Sequence, residues 1–152
     1  MKLPARPHFV HEAVTVSRGT RVAEAAVLMR KHHIGAVVLA DRQEGACKPV
    51  GILTDRDIVV EVVAAGLDAR ALTVDEIAQG PIYTASVDAS SSELVHEMSK
   101  HGVRRLPVLN ADGTLAGIVS LDDVLLELAG PLMAVGKLPG RERRLEARSR
   151  SS

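Results

Sequence analysis

Two stretches of the chain, GILTDRDIVV at residues 51–60 and GIVSLDDVLL at 117–126, set a hydroxyl and a carboxylate three residues apart. Thr54 stands with Asp57 and Ser120 with Asp123, each pair directly after an aliphatic run and at the start of a new apolar period. Two kinds of chemistry use that spacing. A Thr or Ser at a helix N-cap and an acid at the third helical position form a capping box, in which each side chain satisfies a backbone donor the helix leaves orphaned. Alternatively, a carboxylate accepts hydrogen bonds from a sugar, and a hydroxyl beside the amides of a helix N-terminus favours a phosphate. Both uses are compatible, because a carboxylate has more acceptor sites than a cap consumes.

The elements that position these pairs are duplicated. At an offset of 69 residues, TVSRGTRVAEAAVLMRKHHIGAVVLA from Thr15 lies over TASVDASSSELVHEMSKHGVRRLPVL from Thr84, with Glu24/Glu93, Met29/Met98 and His32/His101 among the coincidences. Past the apolar run the offset becomes 66, and Gly51/Gly117, Ile52/Ile118 and Asp57/Asp123 coincide. Each copy predicts a brief strand (Val14–Val16; Ile82–Ala85), a helix and two further strands (Ala36–Leu39 and Gly51–Leu53; Leu106–Leu109 and Leu115–Val119). The closing helices carry Ile58, Val59, Val62 and Val63, then Val124, Leu125 and Leu128. Gly66 and the Gly130-Pro131 pair are expected to stop them. Ser90 with Glu93 predicts a capping box for the second copy's first helix, where Arg21 holds the matching place in the first. TVDEIA, with Thr73 and Glu76, predicts a short capped helix in the connection. Asp112-Gly113 predicts a tight hairpin turn, whereas Asp41–Val50 reads as a longer connection. Pro107 suggests a strand start or an edge, because it has no N–H for a central ladder.

A tandem β-α-β-β-α unit with VGILTDRDIV after its third strand, and GVRRLPVLNADGTLAGIVSLDDVL in its second copy, resembles the cystathionine-β-synthase (CBS) domain pair, or Bateman module. The resemblance runs from residue 8 to about 129. It implies an α/β (α+β) fold of two repeats packed sheet to sheet about a pseudo-twofold axis, with repeat 1 at 8–68, a linker at 69–80, repeat 2 at 81–130 and a basic flexible tail at 131–152. It also implies two clefts for adenosine-containing ligands (AMP, ADP, ATP, NAD or S-adenosylmethionine), with AMP or ATP first among them. Carried over residue by residue, Asp57 and Asp123 become ribose acceptors and Thr54 and Ser120 phosphate-side donors. Arg104 and Arg105, before the LPV strand, share the Asp57 cleft. Their counterparts Gly35 and Ala36 offer no charge, so the Asp57 cleft is expected to hold phosphates better. Strand alternation sends Arg104 and Arg105 to opposite faces, so one of them is expected to face water. Micromolar affinity needs about 8 kcal/mol, and a charge-assisted hydrogen bond supplies about 1.5–3 kcal/mol; a cleft with acid, hydroxyl and guanidinium reaches that sum with some apolar burial.

The resemblance further implies a regulatory, non-catalytic module. Nineteen basic and nineteen acidic side chains give a net charge of zero, so there is no whole-molecule attraction to nucleic acid or anionic lipid. From Lys137 onward, however, six basic residues face two acids, and a weak nucleic-acid contact through this tail is one alternative function. Another is a ligand-free dimerisation scaffold. Cys47 is the sole cysteine, which suits a reducing compartment and offers no nucleophile with a paired base. No stretch approaches the roughly 20 apolar residues of a membrane span and the opening residues lack a signal-peptide core, so a cytoplasmic protein is expected. The histidines lack zinc-like spacing, and no metal is expected; His32 and His101 read as cations at helix C-termini. Apolar faces on the helices predict a homodimer, and the regulated partner is left open.

Overall fold

The computed structural model describes residues 9–136. Each copy opens on a two-residue strand, β1 (Thr15–Val16) or β4 (Ala85–Ser86), followed by an eleven-residue helix, α1 (Val22–His32) or α4 (Ser91–His101). A hairpin then follows, β2 (Ala36–Gln43) with β3 (Ala46–Thr54), or β5 (Arg105–Leu109) with β6 (Leu115–Ser120). The sheets run β1-β2-β3 and β4-β5-β6, and in both the first pair is parallel and the second antiparallel. After β3 comes α2 (Asp55–Asp57), continuing without interruption into a π-helical stretch, Ile58–Val63. After β6 comes α5 (Leu121–Gly136), and the short α3 (Val74–Ile77) stands in the connection between copies.

Local chemistry accounts for these boundaries. The Ser90 amide and hydroxyl both donate to Glu93 Oε2 at 2.7 Å, and Thr73 does the same to Glu76 Oε2 at 2.7 and 2.8 Å. Both predicted capping boxes are therefore formed, and these bonds hold the Glu76 and Glu93 carboxyls below their ordinary values. Arginine has no acceptor, so at the start of α1 only half the box survives: the Arg21 amide donates to Glu24 Oε2 at 3.0 Å, while its guanidinium reaches the Ala71 carbonyl at 2.7 Å. α1 and α4 each end on a residue in the left-handed region, His33 and Gly102.

Each copy builds its own core. Ala25, Met29, Val37, Leu39, Leu53 and Val74 pack together in the first; Leu94, Met98, Leu106, Val108, Val119 and Val124 pack in the second. Every residue of Ala36–Ala40 is buried, so β2 is covered on both faces. The halves join through their sheets, with β3 and β6 meeting at the junction.

Three expectations need correction. Asp41–Val50 is not a loop: β2 and β3 extend through it to a two-residue turn at Glu44-Gly45, both at positive φ (50° and 82°), the geometry that matches strand twist in a tight hairpin. Cys47 consequently sits on β3, opposite Arg42 and half-buried. Pro107 lies in the central strand of its sheet. It is accommodated because Ile118, its partner on β6, turns its own N–H and C=O to His11 instead. The loss falls on the parallel pair: the Val38 amide donates to the Val14 carbonyl at 2.9 Å in the first copy, a bond proline cannot make at the equivalent place. Finally, Gly130-Pro131 does not stop α5, which runs on to Gly136 with Pro131 inside it. The fixed φ of proline is helical, so it removes one ladder bond without ending the helix. The basic residues from Lys137 onward lie outside the described residues.

Candidate functional site: a cleft at the junction of the two repeats

Thr54 closes β3 in an extended conformation and caps α2. Its amide and hydroxyl donate to Asp57 Oδ2 at 2.8 and 2.7 Å, and the Asp57 amide donates back to Thr54 Oγ1 at 3.2 Å. The cap thus uses one carboxylate oxygen only. No described residue donates to Asp57 Oδ1, which keeps its acceptor capacity.

Around this acid lies a cleft of about 790 Å³, within the roughly 300–1,000 Å³ typical of small-molecule sites. Thr54, Asp57, Arg104, Arg105 and Ser120 all line it, as do Gly80, Pro81 and Ile82 of the connection. The two arginines differ, as alternation requires. The Arg104 side chain is 69% exposed and pairs with Asp122 at 3.2 Å. Arg105 is half-buried and crosses to the first copy. Its Nη2 stands 2.7 Å from where a Cβ on Gly35 would be, and Asp55 Oδ2 lies 3.0 Å from the same point. Absence of a side chain at Gly35 is what admits the guanidinium. The backbone fixes both margins alike: Asp55 N donates to Gly35 O at 3.0 Å and Leu121 N to Arg104 O at 2.8 Å.

Asp123 is placed elsewhere. Its Oδ2 accepts from the Ser120 hydroxyl in a short hydrogen bond and from the Ser120 amide at 3.3 Å, and its Oδ1 meets His11 Nε2 at 3.1 Å. Burial pushes the Asp123 carboxyl up, but the bonds from Ser120 and His11 outweigh it and hold the group below its ordinary value. His11 arrives on a segment that pairs with Ile118 through two 2.9 Å backbone bonds and passes directly over Gly117. Neither His11 nor Asp55 was singled out from sequence as part of a cleft. The signal for His11 was available, since the offset of 69 sets it against Gly80. Of the other histidines, His101 does more than end a helix: its ring stacks on Tyr83 at 3.8 Å and its Nε2 bonds Glu97 at 3.2 Å. Among the described residues no three His, Cys, Asp or Glu side chains converge as metal ligands, and no helix is long and apolar enough to cross a membrane.

A duplicated α/β unit with a polar cleft at the seam defines a tandem-repeat module. The CBS domain model matches residues 8–64 and again 74–130, and the chain belongs to the CBS-domain family. Hypoxic response protein 1 of Mycobacterium tuberculosis is 40% identical over 104 residues, 68% of this chain and 70% of that protein. An uncharacterized protein of Methanopyrus kandleri is 35% identical over 114 residues, 75% of this chain but 57% of its own length, so the chain spans little more than half of that relative. Among solved structures, a Hypoxic Response Protein I with two coordinated zinc ions superposes with a TM-score of 0.65 at 36% identity, covering 78% of this chain and 94% of that one. A CBS domain protein from Pyrobaculum aerophilum complexed with AMP gives 0.68 at 30% identity, covering 78% and 92%.

Proposed function

We propose that the cleft at the seam binds an adenosine-containing nucleotide, AMP or ATP before ADP, NAD or S-adenosylmethionine, and that the protein is a regulatory rather than catalytic module. The observation that carries this reading is the convergence of an acid with an open oxygen, Asp57 Oδ1, and a guanidinium from the other copy, Arg105, on one cleft of suitable volume. Asp57 accepts from the ribose. Arg104 and Arg105 serve the phosphate side, while the hydroxyls of Thr54 and Ser120, whose protons go to Asp57 and Asp123, hold those carboxylates in place. The AMP complex of the Pyrobaculum aerophilum relative supports the ligand class.

A ligand gripped from both copies stabilises one relative orientation of them, by no more than its difference in affinity for the two arrangements. That change passes to a partner through the closing helices. Val59, Val63, Leu125 and Leu126 are at least half exposed on them, a surface suited to a second copy of the chain, and a homodimer is part of this reading. The same surface favours the rival, a dimerising scaffold whose clefts hold nothing.

Thermal unfolding against AMP, ADP, ATP, NAD and S-adenosylmethionine separates the two. A ligand at 100 times its Kd adds about 2.7 kcal/mol to the stability of the folded state, several degrees for a chain of this size. Stabilisation by none of the five returns the chain to the scaffold.

A further inference from the structure

The two acids of the duplicated motif are treated differently by the segment that crosses in front of each. At Asp57 the crossing residues include Gly80, which brings no side chain; a Cβ built on Gly51 there meets nothing closer than 3.5 Å. At Asp123 the crossing residue is His11, which the sequence offset of 69 sets against Gly80; its carbonyl approaches Gly117 where that of Ala78 approaches Gly51, and neither Ala78 nor Gly80 offers a donor side chain. Its imidazole lies on Oδ1, the oxygen that corresponds to the open one of Asp57, while Ser120 holds Oδ2. The segment is pressed so closely on β6 that a Cβ on Gly117 would collide with the His11 carbonyl and stand 2.7 Å from Val10 Cγ1. Two backbone bonds to Ile118 fix it there.

We propose that His11 is a built-in occupant of the second acid and limits the chain to one bound nucleotide, an inference that rests on the adenosine-nucleotide reading above. A sugar hydroxyl offered to Asp123 has to displace a charge-assisted bond, and the displaced ring is held close by its own paired backbone. At Asp57 no such displacement is needed. The difference between the two acids is thus a side chain on the crossing segment, in addition to the missing guanidiniums at Gly35 and Ala36. Substituting that side chain opens the second acid without touching the first.

The test is the number of AMP and ATP molecules bound per chain, measured by calorimetry and equilibrium dialysis on the full chain, for wild type, His11→Gly and His11→Ala. His11 is 58% exposed, and two variants guard against a folding artefact in either, checked by circular dichroism. The expected result is one nucleotide in wild type and two in both variants, the added one lost when Asp123→Ala is combined with them. Two nucleotides in wild type overturn the proposal, as does one in wild type and in both variants; in the latter case the nucleotide reading itself survives. No binding by wild type with one nucleotide in the variants supports the role of His11 while removing the Asp57 cleft as a site. No binding by any of them overturns both.

Discussion

Asp57→Ala separates a residue that caps a helix from one that also holds a ligand. Its carboxylate makes two structural bonds, both on Oδ2 and both to Thr54, and removing such a cap costs about 1 kcal/mol of folding stability. Oδ1 is the atom offered to a ribose hydroxyl. A hydrogen bond to a charged acceptor is worth about 1.5–3 kcal/mol, so losing it weakens binding by about 10- to 150-fold at 1.4 kcal/mol per decade. The two quantities are read independently, the first by urea denaturation without ligand and the second by calorimetry with AMP and ATP. Asp57→Asn refines the comparison, because an amide oxygen can still accept from Thr54 while the charge is gone. It should recover most of the stability and little of the affinity. A Kd that changes less than threefold in Asp57→Ala, alongside the full stability loss, would reduce Asp57 to a cap and refute the reasoning.

Other consequences follow from the same geometry. Leu106→Ala, at a fully buried position of β5, should cost about 2–5 kcal/mol in denaturant; a loss under 1 kcal/mol would contradict the packing of the second core. The folded Asp123 carboxyl lies below its ordinary value of 3.8, so the folded chain binds fewer protons there than the unfolded one. The stability it supplies is present above about pH 4 and disappears as pH falls through the lower, folded value. Asp123→Asn should accordingly flatten the stability profile in that acid window, and an unchanged slope would contradict the assignment. Leu126→Glu, placing charge at a 74% exposed leucine of α5, should turn a dimer into a monomer in sedimentation velocity, whereas identical sedimentation of variant and wild type would move the interface elsewhere.

Much of the architecture was legible because it is written in local, repeated signals. Ser90/Glu93 and Thr73/Glu76 announce helix starts by a chemistry that acts over three residues, and the structure forms both boxes. The turn at Glu44-Gly45 was illegible because its flanks, Asp41–Gln43 and Ala46–Lys48, form a partly exposed two-stranded extension without the apolar alternation that marks a half-buried strand. Pro107 and Pro131 misled for a shared reason. Each removes one donor, and one lost bond does not end an element: at Pro107 the cost depends on which strand would have accepted, a tertiary fact, and at Pro131 the ring already matches the helical φ. In the cleft, Thr54, Asp57 and Ser120 were readable from their spacing, and strand alternation foretold that Arg104 and Arg105 would part. That Arg105 lies over Gly35 and beside Asp55, and that His11 reaches Asp123 from far along the chain, depends on how the copies pack.

Amide chemical shifts followed during titration of AMP and ATP into isotope-labelled protein test the central claim most directly. A nucleotide held at the seam should move the amides of Thr54–Asp57 in the first copy and of Arg104–Leu106 in the second together, along one saturation curve. Shifts confined to a single copy, or absent from both segments at saturation, would contradict it.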